Sequence, residues 1–373
     1  MRLAIVIDSL NWGGAERQAV LFAKFAKNRG HEVAFFAHPP YGLTGDMLKA
    51  IDVPAFLYPE ADSARNLLVD VFRRSRMLSG MLREWQAEVV LSSMPRPNLL
   101  ASFSWKRAGA RGWIWNQRDR FYGCGLYRLF FGWRMRAAHT VMTNSESEAR
   151  ELKTLFHLRH GAQVVPNSLV MNPPKEGPET WRRRLSIGQG DFVAVMVANL
   201  HPNKSHEVVV HAWKGVADKC KSRPILVLAG KDYGIEERLK TVAERSGIAE
   251  LLRFPGRVSD VPGLLAVCDV GVLSSRSEGY SNAVMEYGAA GLPVVGSDIP
   301  GISEAIAPDC RVRSVFPVDD AGILAERILA YAGDAELRRC DGGMNRDYIL
   351  AKHSPEQALG KLLAIAESIC EKR

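Results

Sequence analysis

The stretch RLAIVIDSLNWGGAERQAVLFAKFAK, residues 2–27, indicates the fold class of the chain. An apolar run over residues 2–7 is followed by the pair Gly13 and Gly14. Residues 15–27 then carry Ala19, Phe22 and other small apolar residues at helical spacing. A strand, a glycine turn and a helix in this order form the first repeat of an α/β protein.

The same alternation continues along the chain. Further apolar runs near residues 33–37, 53–57, 89–91, 113–115, 140–143 and 163–165 are separated by stretches long enough for helices. Four prolines within residues 166–178 interrupt the pattern and indicate a linker. The pattern restarts with runs at 192–198, 224–229, 251–254, 269–274 and 293–295, and a helical pattern covers 354–372.

We therefore predict an α/β protein of two Rossmann-like, doubly wound domains. The first covers residues 1–168, the second covers 179–353, and the final helix, 354–373, packs back on the first. Because open parallel sheets bind ligands at the carboxyl ends of their strands, we expect the functional residues there, facing a cleft shared by the two domains.

Composition narrows the class of protein. Of 373 residues, 47% are hydrophobic and 24% are charged, which excludes a disordered or fibrous chain. No apolar run is long enough for a membrane span, and the run before Asp8 is too short for a signal peptide. The six cysteines form no C-x-x-C pair, which favours a reducing compartment. We expect a cytoplasmic protein.

The net charge of +8 lies almost wholly in the first half of the chain. Residues 1–165 contain 23 Lys and Arg and 14 Asp and Glu, whereas the remainder contains 26 and 27. Two segments, 65–85 and 118–136, combine arginines with aromatic and aliphatic residues. Such segments suit an anionic membrane surface, single-stranded nucleic acid, or an ordinary packed helix with solvated arginines.

The strongest local signal is SSRSEGYSNAVMEYGAAGLPVVGSDIPG, residues 274–301. It leaves a predicted strand, crosses a loop containing Glu278 and enters a helix near Ser281 and Asn282, which are favoured capping types. The helix start suits a phosphate, and Glu286 lies inside the helix. A carboxylate beside a bound anion is useful when it holds hydroxyl groups, so Glu278 and Glu286 indicate a sugar or ribose ligand.

A lysine occupies the first turn of the second domain. Lys204 follows the strand at 192–198 and can neutralise a diphosphate as a point charge. The turn at Gly13 and Gly14 lacks the G-x-G-x-x-G pattern of dinucleotide sites, although paired glycines allow a ligand to approach the backbone closely.

These motifs resemble the retaining glycosyltransferases of family 4 (glycosyl transferases group 1), which have the two-domain GT-B fold. Matching stretches are the Gly13-Gly14 loop, residues 165–167, 226–230, 254–258 and the pair Glu278-x7-Glu286. The resemblance implies that Glu278 contacts the donor sugar and Glu286 the ribose, with Gly279, Tyr280, Ser281 and Asn282 completing the donor site.

The resemblance assigns further donor contacts. Lys204 would bind the diphosphate, Arg257 and Val258 would reach the base, and the Gly13-Gly14 loop would lie against the diphosphate and the acceptor. The family usually has an arginine where this chain has Asn199. It also often has a histidine near the reacting sugar.

The matching stretch for that histidine holds Asn116 and Arg118 instead, which we take as catalytic candidates. We predict no metal and no other cofactor, since Asp319 and Asp320 suit the start of a helix rather than a metal site.

The sequence thus predicts an enzyme that transfers a sugar from a nucleoside-diphosphate donor to a glycan or lipid-linked acceptor. Family members often act on lipid-linked acceptors at the inner membrane face, so peripheral contact with anionic lipid is expected and nucleic acid is not. Two alternatives stay open. One is a catalytically silent nucleotide-sugar-binding protein, which Asn199 and the missing histidine favour, and the other is a nicotinamide-dependent oxidoreductase.

Overall fold

A computed structural model describes residues 1–11, 13–58, 67–118 and 125–371. The chain forms two compact units. Unit 1 comprises residues 1–168 and 355–373, and unit 2 comprises residues 169–354. Among the helices of the described residues, none combines the length and hydropathy that a bilayer-spanning helix needs.

Unit 1 contains a seven-stranded sheet in which every pairing is parallel. Along the sheet the strand order is β3-β2-β1-β4-β5-β6-β7. The strands are β1 (Arg2–Ser9), β2 (Glu32–His38), β3 (Ala55–Leu57), β4 (Val89–Ser93), β5 (Gly112–Gln117), β6 (Thr140–Thr143) and β7 (Gln163–Val164).

Helices cover both faces of this sheet. They are α1 (Gly14–Lys27), α2 (Leu43–Ala50), α3 (Leu67–Glu84), α4 (Pro95–Ala108), α5 (Gly125–Met135), α6 (Glu146–Phe156) and, from the end of the chain, α16 (Pro355–Glu371). Phe22 of α1 and Leu362 of α16 share one core with Ile5 of β1, whereas Leu78 of α3 and Phe131 of α5 belong to the core on the other face. Burial on both faces explains why the strands are continuous apolar runs.

Unit 2 repeats the architecture with a six-stranded parallel sheet of order β10-β9-β8-β11-β12-β13. Its strands are β8 (Phe192–Val197), β9 (Pro224–Ala229), β10 (Leu252–Gly256), β11 (Val270–Leu273), β12 (Val294–Ser297) and β13 (Val315–Phe316).

The helices of unit 2 are α7 (Pro178–Leu185), α8 (His206–Lys219), α9 (Glu236–Arg245), α10 (Val261–Leu265), α11 (Asn282–Ala289), α12 (Pro300–Ser303), α13 (Arg311–Ser314), α14 (Ala321–Gly333) and α15 (Ala335–Lys352). Short 3-10 turns cover Pro202–Lys204, Ala249–Leu251 and Pro308–Cys310. Local sequence sets several helix starts: the Asp320 carboxylate accepts a hydrogen bond from Ile323 N at 2.9 Å and thereby caps α14.

Two doubly wound parallel sheets confirm the predicted fold class. The predicted helix start at Asp320 is confirmed as well, and Asp319 forms an ion pair with Arg276 at 2.9 Å. Strand β13 was not predicted from the sequence, because Pro317 directly follows its two apolar residues, Val315 and Phe316.

Candidate active site

The topological switch point of unit 2 lies between β8 and β11. β8 pairs with β9 on one side and with β11 on the other, so the connections from β8 and β11 leave the sheet in opposite directions. Lys204 follows β8 and Glu278 follows β11. A crevice at the carboxyl ends of such diverging strands is the usual ligand site of an open α/β sheet.

Lys204 and Glu278 form an ion pair at this point. The Lys204 Nζ atom lies 2.5 Å from Glu278 Oε1, and the Ser275 hydroxyl donates a hydrogen bond of 2.6 Å to the same oxygen. The two charged side chains are 26% and 15% exposed. This partial burial strengthens the attraction and leaves both groups within reach of a ligand.

The loop that carries Lys204 is fastened to the end of β11. The hydroxyl of Ser274 donates to the carbonyl oxygens of Lys204, at 2.8 Å, and of Ser205, at 3.0 Å. The backbone N–H of Arg276 donates to Asn203 O at 3.0 Å. The lysine and the glutamate are therefore placed by one hydrogen-bonded assembly of two loops.

Tyr287, on α11, bridges the ends of β8 and β11. Its buried hydroxyl accepts a hydrogen bond of 2.6 Å from Val197 N and donates one of 3.4 Å to Val272 O. Burial raises the pKa of this phenol well above its ordinary value. Tyr287 thus holds the two strand ends from which the ligand-facing loops leave, a role that the sequence alone does not reveal.

Helix α11 begins where the motif predicted. Ser281 is its N-cap, and the Ser281 hydroxyl accepts a hydrogen bond from Val284 N at 3.3 Å. Asn282 is the first helical residue, and Glu286 lies one turn further on with 8% of its surface exposed. The first turn of the helix presents backbone N–H groups suited to a phosphate.

A glycine allows α12 to pack against the Glu278 loop. A Cβ atom at Gly301 would overlap the carbonyl oxygen of Glu278, and Ser281 N donates to Gly301 O at 2.9 Å. The contact joins the end of the motif at residues 274–301 to its beginning. Gly301 therefore supports the loop that presents Glu278.

The side chain of Tyr280, predicted to be part of the donor site, points into the interior of unit 2 instead. Its side chain is buried, and its hydroxyl is 2.8 Å from His353 Nε2 and donates to Glu304 O at 3.1 Å. The side chain therefore supports the core, and only the backbone of Tyr280, with the half-buried Gly279, stays in the predicted donor site.

The other predicted donor residues of unit 2 lie at the same edge of the sheet. Asn199 is exposed, and its Oδ1 atom accepts a hydrogen bond from Lys231 N at 3.3 Å. Arg257 is exposed and Val258 half-buried, directly after β10. Since β9 separates β10 from β8, these two residues flank the switch point, and their contact with the base stays a prediction.

In unit 1, the glycine turn lies at the carboxyl end of β1, beside that sheet's own switch point between β1 and β4. Gly13 is the extended N-cap of α1 and Gly14 its first residue. The Gln18 amide donates to Ser168 O at 2.8 Å and accepts from Ser168 N at 2.7 Å. This paired contact fixes the start of α1 to the chain that follows β7, and no local motif announces it.

The two catalytic candidates of unit 1 differ in accessibility. Asn116 is 2% exposed, and its amide donates to the Ser93 hydroxyl at 2.8 Å, so its side chain belongs to the interior of the sheet. Arg118 is half-buried directly after β5 and donates to Asn167 Oδ1 at 2.6 Å. Their catalytic roles stay predictions.

Comparison with known families matches most of the chain. The model of Glycosyltransferase Family 4 matches residues 12–169, and that of Glycosyl transferases group 1 matches residues 191–334. The chain therefore belongs to the glycosyltransferases of family 4 and group 1.

Relatives of similar sequence carry glycosyltransferase names. The chain is 25% identical to the D-inositol 3-phosphate glycosyltransferase of Streptomyces avermitilis over 54% of this chain and 46% of that protein. It is 27% identical to the protein of the same name from Jonesia denitrificans, over 53% of this chain and 50% of that protein. The chain thus spans about half the length of the curated relatives it matches.

Solved structures confirm the GT-B fold. A glycosyltransferase from Rickettsia africae superposes with a TM-score of 0.86 and 16% identity, over 100% of this chain and 99% of that chain. HepE of Anabaena, in complex with UDP and glucose, superposes with a TM-score of 0.82 and 16% identity, over 99% and 100%. At these identities the likeness concerns the fold.

Proposed function

We propose that the chain transfers a sugar from a nucleoside-diphosphate sugar to an acceptor hydroxyl, with retention of configuration at the anomeric carbon. The observation that carries the proposal is the ion pair of Lys204 and Glu278 at the switch point, next to the N-terminus of α11. A cation, a helix start and a carboxylate in one place suit a ligand that combines a diphosphate with hydroxyl groups.

Each group then has a distinct role. The Lys204 ammonium and the N–H groups at the start of α11 bind the diphosphate, and Glu278, released from Lys204, accepts hydrogen bonds from sugar hydroxyls. Glu286 holds the ribose. HepE of Anabaena, which shares this fold, was solved in complex with UDP and glucose, and this supports a nucleoside-diphosphate donor.

The reaction exchanges one bond at the anomeric carbon for another. The bond from that carbon to the phosphate oxygen breaks, and a bond to the acceptor oxygen forms on the same face. The departing diphosphate takes the proton of the acceptor hydroxyl. Lys204 and the α11 N-terminus stabilise the charge that develops on the diphosphate, which lowers the barrier to bond breaking.

The acceptor is a glycan or a lipid-linked glycan, and the chain acts in polysaccharide, lipopolysaccharide or other glycoconjugate synthesis on the cytoplasmic side of the membrane. WaaG shares this fold with a TM-score of 0.73 and is a glycosyltransferase involved in lipopolysaccharide biosynthesis. This likeness supports that class of pathway. In unit 1, the half-buried Arg118, which donates a hydrogen bond to Asn167 Oδ1, is the residue that we expect on the acceptor side.

The substitution Glu278→Ala tests the assignment. Transfer, measured as release of nucleoside diphosphate from a panel of UDP- and GDP-sugars, should fall by about a hundredfold or more, because a carboxylate–hydroxyl contact is lost at the reacting sugar. Binding of the free nucleotide should persist in calorimetry. Nuclear magnetic resonance of the product should show the donor's anomeric configuration.

The matched control is Glu244→Ala, which removes an exposed glutamate elsewhere in unit 2. It should leave transfer unchanged. Full turnover by the Glu278→Ala variant, or an inverted product, would contradict the proposal.

A second candidate is a silent nucleotide-sugar-binding protein. Asn199 favours it, because this exposed amide supplies no positive charge beside the diphosphate site. Any donor hydrolysis or product formation by the unaltered chain excludes this candidate.

A further inference from the structure

Four aromatic rings form a continuous row across the outer surface of unit 1. Phe72 of α3 lies 5.2 Å from Phe103 of α4, measured between ring centroids. Phe103 lies 6.2 Å from Phe130 of α5, and Phe130 lies 6.1 Å from Trp133. The two arginine-rich segments of the sequence thus meet through α4, although parts of both fall outside the described residues.

This row and its neighbours expose much apolar surface. Phe72 is 48% exposed and Trp133 57%, and the adjacent Val69 and Leu129 reach 59% and 67%. We call this surface the aromatic face; it consists of Val69, Phe72, Phe103, Leu129, Phe130 and Trp133. An extended apolar patch of this kind marks an interaction site rather than an ordinary protein surface.

The helices that bear the aromatic face are strongly basic. α3, α4 and α5 together contain nine Lys and Arg but only two Asp and Glu, and neither acid lies on α4 or α5. The Arg134 guanidinium stacks 4.2 Å from the Phe103 ring centroid and 4.8 Å from that of Trp133. The expected partner is therefore negatively charged and also accepts apolar side chains.

The basic surface continues beyond the end of α5. Arg136, one turn after Trp133, opens a pocket of about 210 Å³. Two arginines and three histidines line it, namely Arg136, Arg159, His139, His157 and His160. Its described lining includes no carboxylate. Such a pocket suits a phosphate group.

We propose that the aromatic face docks unit 1 onto the surface of a bilayer containing anionic lipid. The aromatic and aliphatic side chains insert at the level of the headgroups, and Arg73, Arg76 and Arg128, all exposed, contact the lipid phosphates. Phosphate and an apolar layer occur together at a lipid surface. The inference names the partner of the proposed glycosyltransferase and rests on that function only in expecting a lipid-linked acceptor.

Vesicle binding by the full chain tests the inference. The chain should sediment with vesicles of phosphatidylglycerol and phosphatidylcholine and should remain free with phosphatidylcholine alone. The double substitution Leu129→Ser with Trp133→Ser, and separately Arg73→Glu with Arg76→Glu, should each weaken binding by roughly tenfold or more. Brominated lipids should quench the fluorescence that Trp133→Phe removes.

Matched controls change equally exposed residues of unit 2. Val312→Ser, at a side chain that is 82% exposed, and Arg339→Glu should bind vesicles as the unaltered chain does. Equal binding by the Leu129/Trp133 variant, or failure of the unaltered chain to bind anionic vesicles, overturns the inference. Binding of single-stranded oligonucleotide in place of vesicles would assign the face to nucleic acid instead.

A readout without vesicles separates this inference from the proposed function. Hydrolysis of the donor sugar in solution should be equal in the unaltered chain and in the Leu129/Trp133 variant, whose circular dichroism reports the fold. Donor hydrolysis without vesicle binding refutes the docking face alone. Vesicle binding without any donor turnover refutes the enzyme and leaves the face intact.

Discussion

A single phenol hydroxyl determines how two strand ends separate in unit 2. Tyr287 accepts a hydrogen bond from Val197 N and donates one to Val272 O, so it replaces the strand-to-strand bonds that end at this point. The loops carrying Lys204 and Glu278 begin a few residues later. We expect that loss of this hydroxyl shifts both loops.

The substitution Tyr287→Phe should therefore impair stability and transfer together. It leaves the N–H of Val197 without its partner, which costs about 1–3 kcal/mol of the free energy of unfolding. We expect a lower urea midpoint and a lower kcat, since the positions of Lys204 and Glu278 relax.

Tyr233→Phe is the matched control, because that ring is 55% exposed. It should change neither quantity. A Tyr287→Phe variant with an unchanged midpoint and an unchanged kcat would show that the bridge is dispensable.

The sequence predicts some side-chain contacts of the candidate site and not others. The approach of Lys204 to Glu278 follows from topology, because the first and fourth strands of a doubly wound sheet are neighbours. The inward side chain of Tyr280 does not follow, since its partners, Glu304 and His353, are distant in sequence. Asn116 is similar: in a strand covered on both faces, alternation does not separate buried from accessible positions.

At the scale of elements, α8 begins with a buried histidine just after Lys204, the lysine that we propose to bind the diphosphate. His206, the first residue of α8, follows Lys204 by two positions and is 1% exposed. Burial chiefly lowers the pKa of His206 to about 4; the Lys204 charge acts in the same direction, and the Ala198 carbonyl opposes it. The helix therefore begins with a neutral imidazole at pH 7.

This shift makes the stability of unit 2 depend on pH. The unfolded histidine takes up a proton near pH 6.5, whereas the folded one does so only near pH 4, so acid favours the unfolded state. Between pH 7 and pH 5, His206 should reduce the free energy of unfolding by about 2 kcal/mol. Urea titrations should show a smaller loss for His206→Gln over this interval.

The exposed His211, on the same helix, provides the control. His211→Gln should retain the full acid sensitivity of the unaltered chain. Identical pH profiles for His206→Gln and the unaltered chain would contradict the assignment.

Most secondary-structure elements were predictable from the sequence, whereas the packing of α4 between α3 and α5 was not. The strands from β1 to β12 follow from apolar runs, and the start of α11 follows from Ser281 and Asn282. The role of α4 in the aromatic face does not follow from the sequence. Phe103 is an ordinary residue of an amphipathic helix, and only the tertiary structure places it between Phe72 of α3 and Phe130 of α5.

At the scale of the whole molecule, we predict that the proposed reaction needs no divalent cation. In the proposed site, Lys204 and the N-terminus of α11 provide the positive charge for the diphosphate. The adjacent acids Asp319 and Asp320 have other partners. Asp319 pairs with Arg276, and Asp320 caps α14. Transfer should therefore persist in excess EDTA at a rate within about twofold of the untreated enzyme, as charge stabilisation by fixed groups requires no ion.

The measurement is nucleoside diphosphate release before and after chelation. Addition of Mg²⁺ or Mn²⁺ should give no further increase. A loss of activity that either ion restores would show that the fixed charges are insufficient.

The position of α16 has a consequence for biosynthesis. Leu359, Leu362 and Ile369 of this helix belong to the same core as Phe22 of α1. During translation, the strands of the first sheet emerge from the ribosome long before α16, the helix that covers part of that sheet. The whole sequence of unit 2 also emerges before α16. The nascent chain must therefore keep an apolar face of its first sheet uncovered until α16 has been synthesised, after the whole of unit 2.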